Sequence, residues 1–295
     1  MLLIGKILKA LKLIGDRLKG EFGDDVDVKY IWNIMDLGYR GEDIIWLVEH
    51  GFLTAAYQST SYLTDRVPEL GFVDLPFLFK NNETARSAMD GKLGNYLSNK
   101  TEERINYRVL GYFENGFRHI SNRLRPIHLP GDLKNMRIRV LPSDVQAKTF
   151  QLLGAEPLRL DLTEAIQGIK SGTLDAQENP FANTVTYGVH KFHPYHTKSN
   201  HFYISRGLFA NRTEFYSWPS EIRDCLNSAV VEAINFQRNM AEKEATESQK
   251  TIETEGHRII ELTEVEHTAF VESVVSQHEE ARSQFGNTMF KMISN

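Results

Sequence analysis

Apolar residues recur along this chain in two periods, and the switching between them outlines an α/β protein. Ile4, Ile7, Leu8, Leu11, Ile14 and Leu18 lie at helical spacing and predict one amphipathic helix. Val26, Val28 and Tyr30 alternate with polar residues, as a half-buried strand does. A helix through Ile44, Ile45, Leu47 and Val48 is stopped by Gly51, and 53–59 continues as a strand. The same helix-Gly-strand order returns at 165–170, Gly172 and 174–177. Such an echo is expected if two similar α/β lobes each present a strand tip to a shared cleft.

Further strands are predicted at 108–113, 137–140, 156–160, 202–209 and 258–262. A helix over 144–153 buries Val145, Phe150 and Leu153, and Asp161 or Thr163 suits the N-cap of a helix beginning near Glu164. Trp218-Pro219-Ser220 opens a long helix, with proline in its first turn, that runs into the polar stretch 242–250. The segment 265–285 reads as one final helix. No Pro/Gly/Ser linker separates the halves. The domains are therefore expected to be discontinuous and joined by crossing strands, a connection that permits hinge closure around a ligand.

Composition narrows the function. The 295 residues suffice for two cores, and 41% hydrophobic with 25% charged residues is ordinary for a soluble protein. A net charge of -5 without a basic stripe argues against a nucleic-acid partner. The one cysteine, Cys225, has no internal partner and reads as a buried helix thiol, which leaves the redox compartment open. No apolar segment approaches a bilayer span, and the N-terminal stripe suits core packing better than a membrane surface.

The candidate chemistry centres on Arg139, set between Ile138 and Val140. Desolvating a guanidinium there is costly unless an anion neutralises it. Spacing alone leaves two accounts level: bidentate capture of a substrate carboxylate, or an ion pair with an acidic residue of the chain. His190, His193, His196 and His201 could suggest a metal, but Pro194 interrupts them and the spacing fits no clean ligand pattern. Aromatic packing and exposed loop histidines are the preferred account. Phe181 and Phe202 read as core, and the pairs Asp24-Asp25 and Glu42-Asp43 as solvated. Neither a nucleophile elbow nor a phosphate-cradling loop occurs, so no catalytic residue, cofactor or metal is predicted.

Several motifs fall in one order. They are 74–79 (Asp-Leu-Pro-Phe-Leu-Phe), Gly116-Phe117-Arg118 with Asn122 and Arg125-Pro126, 138–143 (Ile-Arg-Val-Leu-Pro-Ser), 172–180 (Gly-Thr-Leu-Asp-Ala-Gln-Glu-Asn-Pro) and 199–203 (Ser-Asn-His-Phe-Tyr). Together they resemble the solute-binding proteins of TRAP transporters, the DctP-like family, over nearly the whole chain. The resemblance implies a two-lobed periplasmic-binding-protein-like fold with a cleft between two α/β domains. Lobe I would comprise 1–116 and about 205–244, and lobe II 117–204 and about 245–295. Arg139 matches the family's carboxylate-binding arginine, and Arg118 a second arginine that faces the pocket in some members. Asn179 would be a hydrogen-bond partner of the same carboxylate, and Gln58 a ligand contact at a strand end. Arg206 departs from the family, whose members tend to have an aromatic there; pointing inward it would favour a dianion.

The implied ligand is a small organic acid, and the implied partners are the integral membrane subunits of a TRAP transporter, in the periplasm. A monomer is expected rather than a dimer. Relatives carry an exported leader and a first strand ahead of the first helix, so a start site upstream of Met1 is expected. The alternative is a non-exported, intracellular carboxylate-binding sensor of the same fold.

Overall fold

The computed structural model describes residues 5–293, and in it one seven-stranded sheet runs through both halves of the molecule. The strands are β1 (Ala55–Ser59), β2 (Tyr107–Asn122), β3 (Arg137–Val140), β4 (Glu156–Arg159), β5 (Ala176–Asn179), β6 (Tyr195–Asn211) and β7 (Arg258–Glu261). Their order is β1-β6-β2-β5-β3-β4, with β7 also paired to β6. Strands β2 and β6, of 16 and 17 residues, form a long antiparallel pair. β1 joins the later half of β6, whereas β5 joins the later half of β2 and β7 the beginning of β6. Two α/β lobes therefore share one strand pair. The pair slips register between Glu114 and Gly116 and again between Arg118 and Ile120. Gly116 takes φ +96°, a conformation that side chains with a Cβ resist.

The helices in chain order are α1 (Gly5–Phe22), α2 (Ile44–Glu49), α3 (Asn82–Asp90), α4 (Lys92–Arg104), α5 (Asp144–Leu152), α6 (Leu162–Ser171), α7 (Phe181–Thr186), α8 (Arg212–Ser217), α9 (Ser220–Thr254), α10 (Glu264–Ser273), α11 (Val275–Phe285) and α12 (Asn287–Lys291). In α1, Ala10, Ile14 and Leu18 are buried in one cluster with Ala229, Val230 and Ala233 of α9, so this part of the N-terminal stripe is core, while Ile4 lies outside the described residues. None of the described helices is long and apolar enough to cross a membrane. At the register slip, Gln237 of α9 receives the Glu114 N–H at 3.0 Å and donates to the Glu114 carbonyl at 2.7 Å. A side-chain amide thus supplies the partners that the irregular ladder lacks. Cys225 lies on α9, half-buried rather than fully buried.

The echo of two helix-Gly-strand units is present: α2 leads through Gly51 to β1, and α6 through Gly172 to β5. Both glycines are left-handed, at φ +75° and +74°. β5 lies two residues later than expected, over Ala176–Asn179. Three expectations are corrected. Segment 26–30 has no ladder partner and is not a strand; Tyr30 fixes it by donating to the Leu11 carbonyl at 3.3 Å and stacking on Trp32. The final helix is broken at Val274 (φ -117°), where two consecutive β-branched residues meet. The break re-aims the chain: Phe270 and Val274 enter the lobe II core, whereas Ala281 and Met289 enter that of lobe I. The end of the chain, assigned to lobe II from sequence, therefore returns to lobe I.

Candidate functional site

Strand alternation decides which polar groups can meet. Ile138 and Val140 enter the lobe II core, so Arg139 between them projects from the other face of β3. Arg139 pairs with Gln177 across the β3–β5 ladder, which sets Arg139, Gln177 and Asn179 on one face. His119 and Ser121 of β2, opposite Asn179 and Gln177, extend it. The amides are linked: Gln177 Nε2 donates to Ser121 Oγ and Thr184 Oγ1, each at 3.1 Å, and Asn179 Nδ2 donates to Gln177 Oε1. Asn183 Nδ2 completes the group, 3.3 Å from both Asn179 Oδ1 and Asn115 Oδ1.

Arg139 is only 2% exposed. Its Nε donates to the Leu160 carbonyl at 2.8 Å, and its Nη2 has no hydrogen-bond partner. No ion pair engages it among the described residues, so the internal-ion-pair account does not hold here. The guanidinium is thus buried with one donor unfilled.

Lobe I supplies the opposing wall. Tyr62 follows β1, and its hydroxyl donates to Asp161 Oδ2 of lobe II at 3.3 Å. Asp161 caps α6 by accepting from the Thr163 N–H at 3.2 Å. Burial pushes the Tyr62 phenol up to about 12, against the pull of Arg139 and Arg206 nearby. Both guanidinium groups thus act electrostatically on one hydroxyl. Arg206 stands opposite Ser59 and Phe113 in the two ladders of β6. Its guanidinium sits 5.5 Å from the Tyr57 ring centre, and its Nε has no partner. Burial disfavours its charged form, but the Tyr57 and Tyr187 hydroxyls beside it more than offset that cost. Gln58 Nε2 donates to the Gly41 carbonyl at 2.7 Å, and its buried Oε1 has no donor.

Arg118 is placed elsewhere. It is 1% exposed and its guanidinium is doubly bonded to the Glu178 carboxylate, which is fully buried. Burial raises the Glu178 carboxyl, yet Arg118 and His201 prevail and hold it below the usual range. The cause is again alternation: Glu178, between Gln177 and Asn179, points to the opposite face and takes Arg118 with it. Of the five expected site residues, Arg139 and Arg206 both act electrostatically on Tyr62. Gln58 reaches that place through Gly41, Asn179 shares a sheet face with Arg139, and Arg118 lies behind the sheet as half of an ion pair.

Sequence reasoning missed Tyr57, Tyr62, Asp161 as a bridge, and Tyr187. Period-two reading of Gln177-Glu178-Asn179 was the signal that could have assigned Glu178 to Arg118. The histidine expectation is also corrected. His190, His193, His196 and His201 are all buried, not exposed on loops. His193 shares a 2.9 Å hydrogen bond with Ser121 Oγ, and His201 one of 2.7 Å with Ser199 Oγ. Both ring nitrogens of His196 lack partners, and burial lowers it to about 4. Among the described residues, no group of three or more His, Cys, Asp or Glu side chains is arranged to hold a metal ion. Phe181 and Phe202 are buried, Phe181 against the His119 ring at 4.2 Å between centres.

Comparison with known proteins places this architecture. The family described as bacterial extracellular solute-binding protein, family 7, matches residues 10–284. The 2,3-diketo-L-gulonate-binding periplasmic protein of Escherichia coli is 29% identical over 211 residues, 71% of this chain and 63% of that protein. The C4-dicarboxylate-binding periplasmic protein of Rhodobacter capsulatus is 27% identical over 221 residues, 75% of this chain and 66% of that one. The chain thus spans slightly less than two thirds of the length of these relatives. The crystal structure of the sugar acid binding protein of Advenella mimigardefordensis with galactonate superposes with TM-score 0.91 at 26% identity, covering 97% of this chain and 91% of that one. A TRAP periplasmic solute-binding protein of Ralstonia eutropha with bound (S)-2-acetolactate gives 0.89 at 25% identity, covering 97% and 92%.

Proposed function

Since this chain belongs to the DctP family, bacterial extracellular solute-binding protein family 7, we propose that it is the extracytoplasmic solute-binding protein of a TRAP-type transporter and captures a small organic acid on Arg139. The observation that carries the reading is the buried Arg139 guanidinium with an unfilled donor and no acidic partner. A ligand carboxylate satisfies it with charge-assisted hydrogen bonds in a sheltered, low-dielectric place. Asn179 and its amide neighbours lie on the same sheet face and can donate to that carboxylate once it arrives. Gln58 Oε1, which lacks a donor, suits a ligand hydroxyl or amine.

The acid is gripped from both lobes, so it binds the closed arrangement better than an open one and shifts the population toward closure. Tyr62 with Asp161, and Ser61 Oγ with Gln146 Nε2 at 3.1 Å, are contacts that form as the lobes meet. The chain acts as a monomer in the periplasm and hands its ligand to the transporter's membrane subunits; relatives named for periplasmic binding support that location.

The test is a thermal-shift screen against organic acids, followed by calorimetry on the best one. Ligand that binds only the folded state raises the unfolding temperature by mass action. Arg139→Ala should lose affinity for that acid by about 2–5 kcal/mol while remaining folded. Equal affinity in the variant refutes the assignment.

A further inference from the structure

We propose that Asp74 is a proton-binding site at the seam between the lobes, and that closure on the ligand takes up a proton there. The inference rests on the capture-and-closure reading above and adds to it a second, coupled ligand, the proton.

A short run of side chains joins the lobes at this seam. Gln146 Nε2, on α5 of lobe II, donates to Ser61 Oγ of lobe I at 3.1 Å. Ser61 Oγ in turn donates to Asp74 Oδ1 at 2.8 Å. Ser61, Asp74 and Gln146 are each 0% exposed, as is Ser143, the N-cap of α5. The Ser61 hydroxyl has one hydrogen, and it is already given to Asp74. Two acceptors of the group are left without a donor, Asp74 Oδ2 and Gln146 Oε1. Buried acceptors in that state are costly, and an ionised carboxylate among them is more so. A proton on Asp74 removes the charge and gives the group one more donor hydrogen.

No cation is paired with Asp74 among the described residues. The segment Pro68–Asp74 packs against 60–63, β6, α4, α5 and α11, whose titratable groups have partners of their own. On α5, Asp144 pairs with Arg159 and Lys148 with Glu280, while Arg104 of α4 pairs with Glu69. Tyr62 donates to Asp161, His201 of β6 shares a hydrogen bond with Ser199, and His278 Nε2 of α11 donates to the Pro76 carbonyl at 2.6 Å. Arg118 acts on Asp74 from a distance, but Glu178 holds that guanidinium. The positive end of α5 is answered by Asp144 in its first turn and by Ser143 Oγ, which accepts from the Gln146 N–H at 3.5 Å.

Lobe II contributes directly to the burial. Besides Gln146, Val145 of α5 presses on the segment, its Cγ2 only 3.3 Å from where a Cβ on Gly71 would stand. Burial in this closed seam raises the Asp74 carboxyl from 3.8 to about 6. When the lobes part, α5 withdraws, Asp74 regains water, and its carboxyl returns toward its ordinary value. The closed form therefore binds the proton more tightly than the open one, and by reciprocity the proton favours closure and ligand binding. The affinity gained is fully present below about pH 4 and is lost as pH rises through about 6.

The test is calorimetry at pH 5.5 and pH 8 on the wild-type chain, Asp74→Asn and Arg139→Ala. The probes are galactonate, glucuronate and erythronate, which stay ionised across that range, each in two buffers of unlike ionisation enthalpy. An acid that binds should bind the wild type about fourfold tighter at pH 5.5 than at pH 8. Binding should also take up more than half a proton at pH 5.5 and close to none at pH 8. Asp74→Asn, uncharged throughout, should lose both effects, a result that a merely structural role for Asp74 would not give. Other titrating groups are common to the two proteins, so the comparison isolates Asp74. Proton uptake by the wild type needs no variant, so a misfolded Asp74→Asn would still leave the inference open to refutation. A wild type with neither effect, or a folded variant that keeps both, overturns the inference while leaving Arg139 as the carboxylate receptor. If none of the three acids binds, or Arg139→Ala binds them undiminished, the carboxylate-capture reading fails and this inference falls with it.

Discussion

Replacing Asp74 with asparagine should stabilise the protein at neutral pH, although it removes a carboxylate that accepts a good hydrogen bond. Asp74 is fully buried where the 3-10 segment Pro68–Asp74 meets the N-terminus of α5. Ser61 Oγ donates to its Oδ1 at 2.8 Å, and Ser143 and Gln146 also lie against it, but no cation is paired with it. Burial outweighs these hydrogen bonds and raises its carboxyl from 3.8 to about 6. The folded state therefore holds this proton more tightly than the unfolded chain does. The resulting stability is fully present below about pH 4 and is lost as pH rises through about 6. A shift of about two units corresponds to roughly 3 kcal/mol. Asparagine carries no charge at any pH, can still accept from Ser61, and can donate where Gln146 Oε1 has no donor.

The assay is urea unfolding of wild type and Asp74→Asn at steps from pH 4.5 to 8. The wild-type curve alone would mislead, because burial depresses His119, His193, His196 and His201. Their stability is present above their unfolded value of 6.5 and is lost as pH falls, opposite in sign to Asp74. Subtracting the two proteins removes that contribution. The difference should grow from roughly 1 kcal/mol at pH 4.5 to roughly 3 kcal/mol in favour of the variant above pH 7. A difference that is flat with pH, or a variant less stable throughout, refutes the reasoning.

Other substitutions probe other parts of the argument. Arg118→Met leaves Glu178 buried without its cation and should destabilise by about 3–5 kcal/mol in denaturant unfolding, with much of the loss recovered by adding Glu178→Gln. A stable Arg118→Met variant that no longer binds ligand would return Arg118 to the site. Gly116→Ala, at φ +96°, should cost roughly 1 kcal/mol or more in the same measurement, and unchanged stability would remove the reason for glycine there. Arg137, with Arg123, holds the Asp175 carboxyl down at about 2. That stability is present above about pH 4 and is lost as pH falls through 2, so Asp175→Asn should destabilise at pH 7 and match the wild type near pH 2.

Much of this architecture was legible because burial has a period. Helix α9 was announced by Trp218-Pro219-Ser220, and β3 by Ile138 and Val140 flanking an arginine. The two helix-Gly-strand units were visible as a repeat because only glycine takes the left-handed turn readily. Failures came where partners are distant in sequence. Val26, Val28 and Tyr30 have strand alternation, but alternation cannot supply a ladder partner. Arg118 was judged by its neighbours at 116–122, while its counter-ion lies sixty residues on, at Glu178. The histidines of 190–201 look like polar loop residues until the fold closes over them. Tyr62 and Asp161 form a bridge between positions 99 residues apart, which no local pattern carries.

The shared strand pair has a consequence for how the molecule is made. β1 finds its neighbour in β6, where Ser59 faces Arg206, about 150 residues later. At roughly 5–20 residues per second of synthesis, that interval lasts on the order of 8–30 s. During it, the edge of β1 that β6 will occupy must wait. Halving the gene at residue 150 would not produce a free-standing lobe, because each half would lack a strand owned by the other. A polypeptide built this way cannot close its core until its second long strand has left the ribosome.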